Sequence, residues 1–395
     1  MNTPSREQLI DELLTRSVDS VVDKNRLRKR LLAGEKLRVK LGIDPTSPHI
    51  HLGRSVPLLK LRAFQKLGCK IVLIIGDFTG VIGDTSDKTS ERPMLSSKEV
   101  KQNLKTYIQQ FGKLVDVKKT EVQYNSKWLG KLSYWEVCVQ ADLFSLNEFS
   151  ARTNIKTRIE KGGRVSLRET LYPLMVGFDS VKVKADVEIG GVDQWFNLLA
   201  GRTLQKHYGQ EPQDILTTAL VEGLDGRKMS SSWGNTINLT DEPQEMYGKI
   251  MSMTDALIIP YFLHCTEVSM PQIRAYEQRL KTDGSNPRDV KADLAFVVTE
   301  LYWGSRLAQQ AKEYFNAVIR DKKIPNQLNT KKVRSHSLVD VLVETGLVGS
   351  KSEARRVIEQ GGVQVDGQPA VQPDQAVASG SVIQKGKRNF VKILR

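Results

Sequence analysis

The first clear alternation of hydrophobic and polar positions lies near the amino end of the chain, where a strand, a helix and a second strand follow one another. Residues 37–44 (LRVKLGID) form a short predicted strand that ends in a polar loop. Residues 53–67 have apolar positions at helical spacing and are closed by Gly68, and residues 70–75 are a continuous apolar strand. This order predicts a parallel sheet, whose ligands bind at the carboxyl ends of its strands.

The same alternation of strands and helices continues along residues 1–240. A Ser-x-x-Glu capping box at residues 96–99 opens a helix whose apolar positions run from 100 to 111. Residues 181–189 alternate apolar and polar side chains like a strand and are followed by a helix. Residues 215–220 are a further predicted strand. The pattern therefore predicts an α/β domain with a parallel sheet.

The remainder of the chain has a different character. Residues 241–328 show helical spacing and no convincing strand, and their last part, residues 321–330, is polar like a linker. The tail, residues 333–395, reads as a small α+β module. It has two short helices, the second opened by a Ser-x-x-Glu box at 350–353, and then a strand that meets the turn pair Asp366-Gly367. Three domains are therefore predicted, with boundaries 1–240, 241–328 and 333–395.

The charge of the chain favours a polyanionic partner. The 395 residues carry a formal net charge of +14, with 39% hydrophobic and 26% charged residues, which is an ordinary globular balance. Residues 331–395 contain eleven Lys and Arg against six Asp and Glu, a net charge of +5. Nucleic acid is the simplest partner, and a basic surface without a partner is the alternative.

Cysteine usage and hydropathy bear on location. The three cysteines, Cys69, Cys138 and Cys265, are far apart and lack C-x-x-C spacing, so neither a disulfide framework nor a protein metal site is predicted. No apolar run is long enough to span a bilayer, and the amino end has no apolar signal core. We therefore expect a cytoplasmic protein that does not bind membranes.

Two short motifs carry the chemistry. The first is Asp44–Arg54 (DPTSPHIHLGR), in which a histidine and a glycine precede a predicted helix, so donors and close backbone approach are available to phosphate oxygens. The second is Lys228–Ser232 (KMSSS), whose ammonium and hydroxyls could close on a triphosphate from a distant loop. Neither a P-loop nor a G-x-G-x-x-G motif is present. The pair indicates ATP chemistry.

In this order the two motifs resemble the HIGH and KMSKS signatures of class I aminoacyl-tRNA synthetases. Together with GDFTGVIGDTSDK, LYPLMVGFD and EIGGVDQ, they resemble bacterial tyrosyl-tRNA synthetases over essentially the whole chain. The resemblance implies a Rossmann-like catalytic domain, an all-α anticodon-binding domain, a tail of the alpha-L RNA-binding type, and a homodimer. It also implies that L-tyrosine, ATP with Mg²⁺ on its phosphates, and tRNA(Tyr) are the substrates.

The resemblance assigns roles to individual positions. At the phosphates it implies Thr46, His51, Lys228, Lys88 and Arg92. At the rest of ATP it implies Asp44, Gly53, Arg54, Ser231 and, on the ribose, Gly191 and Asp193. Around tyrosine it implies Asp84 and Tyr172 at the amino group, Gln194 at the carboxylate and Asp179 at the phenolic hydroxyl. In the tail, RNA phosphates would meet Lys351, Arg355 and Arg356.

Four positions depart from the family's pattern. Arg54 replaces the second histidine of HIGH, and Ser231 replaces the second lysine of KMSKS. Lys40 and Val176 stand where many relatives carry a tyrosine and a glutamine in the amino-acid pocket. The last two leave open how the side chain of the amino acid is recognised.

Three other functions remain alternatives. A tryptophanyl-tRNA synthetase would use the same helix and Gly-x-Asp-Gln loop, with an aspartate facing an indole N–H. A non-catalytic RNA-binding relative would have lost phosphate ligands, yet Thr46, His51 and Lys228 are present. A nucleotidyltransferase acting on a small metabolite would leave the basic tail without a purpose.

Overall fold

The computed structural model describes residues 4–84, 94–284, 286–320, 330–370, 372–386 and 389–394. The chain divides into two compact units, Met1–Tyr302 and Trp303–Arg395. Each unit has its own sheet.

The sheet of the first unit has six strands in the order β1-β6-β5-β2-β3-β4. Strand β1 is antiparallel to β6, and the remaining neighbours pair in parallel. The apolar run of β3 is buried except for its first residue, as expected for a strand covered on both faces. The strands are β1 (Val18–Val21), β2 (Arg38–Ile43), β3 (Lys70–Ile75), β4 (Glu121–Tyr124), β5 (Val187–Gly191) and β6 (Asp214–Thr218).

Helices connect and cover these strands and then continue without further strands among the described residues up to 320. The helices up to residue 303 are α1 (Arg6–Leu13), α2 (Lys24–Leu32), α3 (Leu52–Lys66), α4 (Thr79–Ile82), α5 (Ser97–Leu104), α6 (Tyr107–Phe111), α7 (Ser126–Leu129), α8 (Tyr134–Ala141), α9 (Leu146–Ser150), α10 (Thr153–Glu160), α11 (Leu167–Val183), α12 (Trp195–His207), α13 (Pro243–Ser252), α14 (Ile258–Cys265), α15 (Met270–Lys281) and α16 (Pro287–Trp303).

The predicted strand over residues 181–189 is wrong in its first half. Val181 and Val183 belong to the last turn of α11, and β5 begins only at Val187. Val181 packs in a cluster with Phe178, whereas Val183 packs against the strand residue Val72. Because both sides of the helix end are buried, its apolar positions alternate as they would in a strand.

Two further helix predictions also differ from the structure. The predicted helix over 100–111 is two helices, α5 and α6, with a break after Leu104. The capping box at Ser96 and Glu99 is formed. In the tail only half of the predicted box forms: Ser350 Oγ accepts from the Glu353 N–H, but the Glu353 carboxylate accepts from the N–H of Gly349.

The second unit contains α17 (Ser305–Phe315) and a small α+β fold with its own hydrophobic core. Its strands lie in the order β7-β11-β10-β8-β9, so Thr330, predicted as linker, begins a strand; residues 321–329 lie outside the described residues. The turn at Asp366-Gly367 has positive φ at both residues, as the sequence pair predicts. The elements are β7 (Thr330–Lys332), α18 (Leu338–Glu344), α19 (Lys351–Glu359), β8 (Val363–Val365), β9 (Gln368–Pro369), β10 (Val382–Lys385) and β11 (Asn389–Leu394).

Helix α11 packs closely on α12. Gly177 of α11 lies against α12 so closely that an added Cβ would be 2.8 Å from the carbonyl carbon and oxygen of Ala200. The neighbouring backbone has no flexible end that could move aside. Helix α11 therefore lies against α12 only if residue 177 has no side chain.

We expect Gly177→Ala to lower the free energy of unfolding by ~1–3 kcal/mol, because the added methyl group must push two helices apart. Gly248→Ala is the matched control, since Gly248 is also helical but has open space around its Cβ position. Because alanine has a higher helix propensity than glycine, Gly248→Ala should leave the free energy of unfolding unchanged or raise it by ~0.5–1 kcal/mol. Thermal unfolding of both variants measures the difference, and equal midpoints would contradict the packing argument.

Candidate active site

A cavity of about 260 Å³ opens at the carboxyl ends of β2, β3, β5 and β6. Parallel strands bring the loops that follow them to one edge, so residues distant in sequence meet there. Lys88 and Arg92 lie outside the described residues. The other site residues predicted in this unit all line the cavity: Asp44, Thr46, His51, Gly53, Arg54, Asp84, Tyr172, Asp179, Gly191, Asp193, Gln194, Lys228 and Ser231.

Asp44 is held at the end of β2 by two hydroxyl donors. Thr79 Oγ1 donates to Asp44 Oδ1 at 2.6 Å, and the Tyr172 hydroxyl donates to Asp44 Oδ2 at 2.9 Å. Gly76, just past β3, allows this approach, because an added Cβ there would lie 1.9 Å from Asp44 Oδ1. The carboxylate is therefore fixed in orientation before any ligand binds.

His51 is the residue that precedes α3, and its side chain is buried without capping the helix. Its Nδ1 has no hydrogen-bond partner within the described part of the chain. Burial, followed by the positive charges of Arg54 and Lys228, lowers the pKa of His51 to about 3. The imidazole is thus neutral at pH 7 and can donate one hydrogen bond beside the helix N-terminus.

Arg54, which replaces the second histidine of the motif, also reaches the cavity. Its Nη2 lies 3.3 Å from Thr46 Oγ1, and its Nη1 lies 3.4 Å from the Tyr107 hydroxyl. A guanidinium, a threonine hydroxyl and a neutral imidazole therefore surround the amino end of α3. This is an arrangement suited to an anion.

The second motif folds over the first. Lys228 Nζ lies 3.0 Å from Asp193 Oδ2, and the Gly53 N–H donates to Met229 Sδ at 3.3 Å. Asn235, which sequence reasoning missed, fixes the loop: its Oδ1 accepts from the Ser230 N–H and its Nδ2 donates to the Lys228 carbonyl. The loop thus places the Lys228 ammonium beside Asp193 at the cavity.

Asp84 and Gln194 meet directly at the cavity wall. Gln194 Nε2 donates to Asp84 Oδ2 at 2.8 Å, and Gln194 Oε1 accepts from Asn197 Nδ2 at 2.8 Å. Burial and then the carboxylates of Asp44 and Asp84 raise the pKa of Tyr172 well above its usual value. Tyr172 therefore remains a neutral donor, close to two negative charges.

Asp179 lies on the same face of α11 as Tyr172, seven residues on, and is buried. Trp128 Nε1 donates to its Oδ1 at 2.7 Å, and Asn125 Nδ2 donates to its Oδ2 at 3.2 Å. Burial is the largest influence and raises the pKa of Asp179 to about 7, against the effect of Lys40 and of these two donors. Each carboxylate oxygen retains capacity for a further donor from the cavity.

Asn125 and Trp128 are functional candidates that the sequence did not reveal. Asn125 follows β4 and also donates to Thr79 Oγ1 at 2.9 Å, so a continuous set of hydrogen bonds runs from Asp44 through Thr79 to Asp179. Recognising β4 as a strand next to β3 would have placed Asn125 at the same edge. Its four residues alternate too briefly to give that signal.

In the second unit, the predicted RNA-contacting residues lie on α19. Arg355 and Arg356 are exposed, and Lys351 Nζ forms an ion pair with Asp340 Oδ1 at 2.7 Å. A phosphate would therefore compete with Asp340 for Lys351. The two arginines present their guanidinium groups to solvent.

The described residues lack two further features, a metal-binding cluster and a membrane-spanning helix. No group of three or more His, Cys, Asp or Glu in those ranges is placed to hold a metal ion. No helix in the described part of the chain is long and apolar enough to cross a membrane.

The site and fold can be compared with known proteins. The family model of the tRNA synthetases class I (W and Y) matches residues 32–320, and that of the S4 domain matches residues 337–383. The solved tyrosyl-tRNA synthetase of Archaeoglobus fulgidus, complexed with L-tyrosine, superposes with a TM-score of 0.62 at 22% identity, over 77% of this chain and 99% of that one. The truncated mitochondrial enzyme of Aspergillus nidulans gives 0.64 at 22%, over 78% and 93%. The chain belongs to the class I tRNA synthetases.

Relatives that match over nearly their full length show to which group within the family the chain belongs. The tyrosine–tRNA ligase of Thermotoga maritima is 43% identical over 97% of this chain and 96% of its own length. Tyrosine–tRNA ligase 2 of Clostridium acetobutylicum is 42% identical over 98% and 99%. Within the class, the chain therefore falls among the tyrosine–tRNA ligases, which confirms the resemblance seen in its motifs.

Proposed function

We propose that the protein joins L-tyrosine to tRNA(Tyr) in two steps. The tyrosine carboxylate first attacks the α-phosphate of ATP, which releases pyrophosphate and gives tyrosyl-adenylate. The tyrosyl group then passes to the 3′ end of the tRNA. The observation that carries the proposal is that both signature motifs line the same cavity as the carboxylates of Asp84 and Asp179. ATP enters as its magnesium complex.

Activation requires positioning and charge stabilisation more than covalent help from side chains. In our proposal Thr46 and His51 donate to the departing pyrophosphate, and Arg54 adds a fixed positive charge beside Thr46. Lys228 exchanges Asp193 for a phosphate oxygen when ATP binds, which leaves Asp193, with Gly191, to accept from the ribose hydroxyls. Lys88 and Arg92 remain predictions at the phosphates.

The tyrosine end of the cavity is proposed to recognise three groups. Asp84 and the Tyr172 hydroxyl lie where an ammonium would be held between carboxylate and phenol oxygens. Gln194 can face the substrate carboxylate with its amide. Asp179 is proposed to accept the phenolic hydroxyl, since its two oxygens are oriented by neutral donors and border the cavity.

The alternatives fit less well. The relatives compared above are named for tyrosine, which favours it over tryptophan. A non-catalytic relative would have no need of a buried neutral histidine beside Arg54 and Lys228 at the phosphate end. A nucleotidyltransferase would have no use for an S4 domain.

The remaining parts of the chain are proposed to serve tRNA. We propose that residues 241–328 bind the anticodon arm and that the tail, residues 333–395, binds the long variable arm through Arg355, Arg356 and Lys351. Support comes from the S4 match, the net charge of +5 over 331–395 and the exposure of the two arginines.

Association and location are proposed as well. Five large apolar side chains on or beside α8–α11 are more than half exposed: Tyr134, Trp135, Leu146, Ile159 and Leu167. Exposed apolar side chains of this size are typical of residues that a partner covers, and we propose that the partner is a second copy of the chain in a homodimer. Sedimentation equilibrium tests it, and a monomer mass would refute it. The three described cysteines are unpaired, which supports the proposed cytoplasmic location.

Tyrosine-dependent exchange of pyrophosphate into ATP tests the proposed function. We expect tyrosine to support exchange, with phenylalanine rejected by ~10⁴–10⁵, because a buried acceptor built for a hydroxyl would be left unpaired. All twenty amino acids are assayed side by side. Exchange driven best by tryptophan, or by none of them, would overturn the assignment.

His51→Ala and Lys228→Ala should lower the rate of adenylate formation by ~10²–10³ and change tyrosine affinity little, because both groups act on the leaving pyrophosphate. His49→Ala is the matched control: it is a histidine of the same loop, bonded to Thr240, that does not line the cavity. Pre-steady-state adenylate formation measures the effect. A rate in either variant equal to that of the control would remove that residue from the mechanism.

Truncation after about residue 330 should leave pyrophosphate exchange nearly intact and weaken tRNA charging, because activation uses only the first unit. Substituting Arg355 and Arg356 in the full chain should flatten the salt dependence of tRNA binding by ~0.7–0.9 in log–log slope per lost phosphate contact. Exchange and charging are measured on the same preparations. Equal loss of both activities would show the tail to be structural, and undiminished charging would remove its RNA role.

A further inference from the structure

A buried ion pair lies directly behind the proposed tyrosine pocket. Lys40 of β2 and Glu188 of β5 are cross-strand partners in the parallel register, and their side chains are 0% and 2% exposed. Lys40 Nζ lies 2.7 Å from Glu188 Oε1. The mechanism proposed above gives Lys40 no task.

Three acceptors satisfy the ammonium, and two of them belong to α11. Lys40 Nζ donates to the Val176 carbonyl at 2.9 Å and to Ser180 Oγ at 2.7 Å. Ser180 Oγ in turn donates to Glu188 Oε2 at 2.9 Å, and Gln213 Nε2 donates to the same oxygen. The lysine therefore binds the helix at two points that flank Asp179, three residues before it and one after it.

The ion pair acts on Asp179 through its charges as well as through the hydrogen bonds to α11. Lys40 from β2 and Glu188 from β5 act electrostatically on Asp179, and Asp179 in turn acts on Tyr172 of the same helix. Trp128 and Asn125, which hold its two oxygens, are neutral. Lys40 favours the carboxylate form more strongly than Glu188 opposes it.

We propose that Lys40 is a positioning residue for tyrosine selection: it holds the turn of α11 that carries Asp179, and its charge keeps Asp179 in the form that accepts a phenolic hydroxyl. The proposal rests on the role proposed above for Asp179. Since only a hydroxylated ring uses that acceptor, the effect is confined to tyrosine. Phenylalanine and ATP do not depend on it.

The test is the double variant Lys40→Met/Glu188→Gln, because removing both charges avoids leaving one buried and unpaired. We expect the ratio of kcat/KM for tyrosine to kcat/KM for phenylalanine to fall by ~10- to 100-fold, as for a misplaced recognition group. The KM for ATP should be unchanged. The double variant loses the charge of Lys40, which favours the Asp179 carboxylate more than Glu188 opposes it. The pKa of Asp179 should therefore rise, and the acid limb of the pH profile of kcat/KM for tyrosine should move to higher pH.

The control is Arg158→Met/Glu169→Gln, which removes a different buried ion pair: it joins α10 to the first turn of α11 at 2.6 Å, at the end of α11 away from Asp179. It should lower the thermal midpoint, as the first variant does, and leave both the substrate ratio and the acid limb unchanged. A fall in the ratio of equal size in the control would reduce Lys40 to a structural role and overturn the proposal.

Ser180→Ala keeps both charges and removes one hydroxyl that bonds Lys40, so it tests the positioning part separately. The substrate ratio should fall while the acid limb stays in place, and an unchanged ratio would overturn that part. Asp179→Asn is the reference. If it retains full discrimination, the role of Asp179 fails and this proposal with it. If Asp179→Asn loses discrimination and Lys40→Met/Glu188→Gln does not, only the proposal for Lys40 is refuted.

Discussion

The parallel pairing of β2 with β3 and β5 is the constraint on which the site depends. Parallel strands end at one edge, so the loops after β2, β3, β5 and β6 share a cavity although more than a hundred residues separate the first from the last. Glycines at the ends of the strands let neighbouring side chains approach, and Gly76 beside Asp44 is the tightest case. The other residues of the site, from His51 before α3 to Lys228 in its loop, line the cavity at the same edge.

The two ends of the cavity differ in the charges that surround them. At the end proposed to hold phosphate, Arg54 and Lys228 provide positive charge, and burial keeps His51 neutral beside them. At its far end, neutral donors orient Asp179, and a buried pair of opposite charges lies behind it. Such a division suits a reaction in which charge moves on phosphate while a neutral phenol is recognised elsewhere.

Hydrogen bonds connect the two ends. Asp44, Thr79, Asn125 and Asp179 form one continuous set, so the side chain proposed to lie against the nucleotide and the one proposed for the phenol are oriented together. A network of this kind strengthens its members and makes each deletion costly. It gives a physical reason why buried polar residues are gathered behind this wall of the cavity.

The sequence by itself determined β2, α3 and β3, the two motifs, and the division between an α/β part, a helical part and a basic tail. These depend on local periodicity, caps and residue order, which a single chain displays. It misassigned residues 181–189, because a helix end buried on both sides alternates like a strand. Only the tertiary structure decided which groups meet: that Tyr172 bonds Asp44, that Asn125 and Trp128 hold Asp179, and that Lys40 faces Glu188. Those contacts depend on strand order and helix packing, which join positions far apart in the chain and leave no local pattern to read.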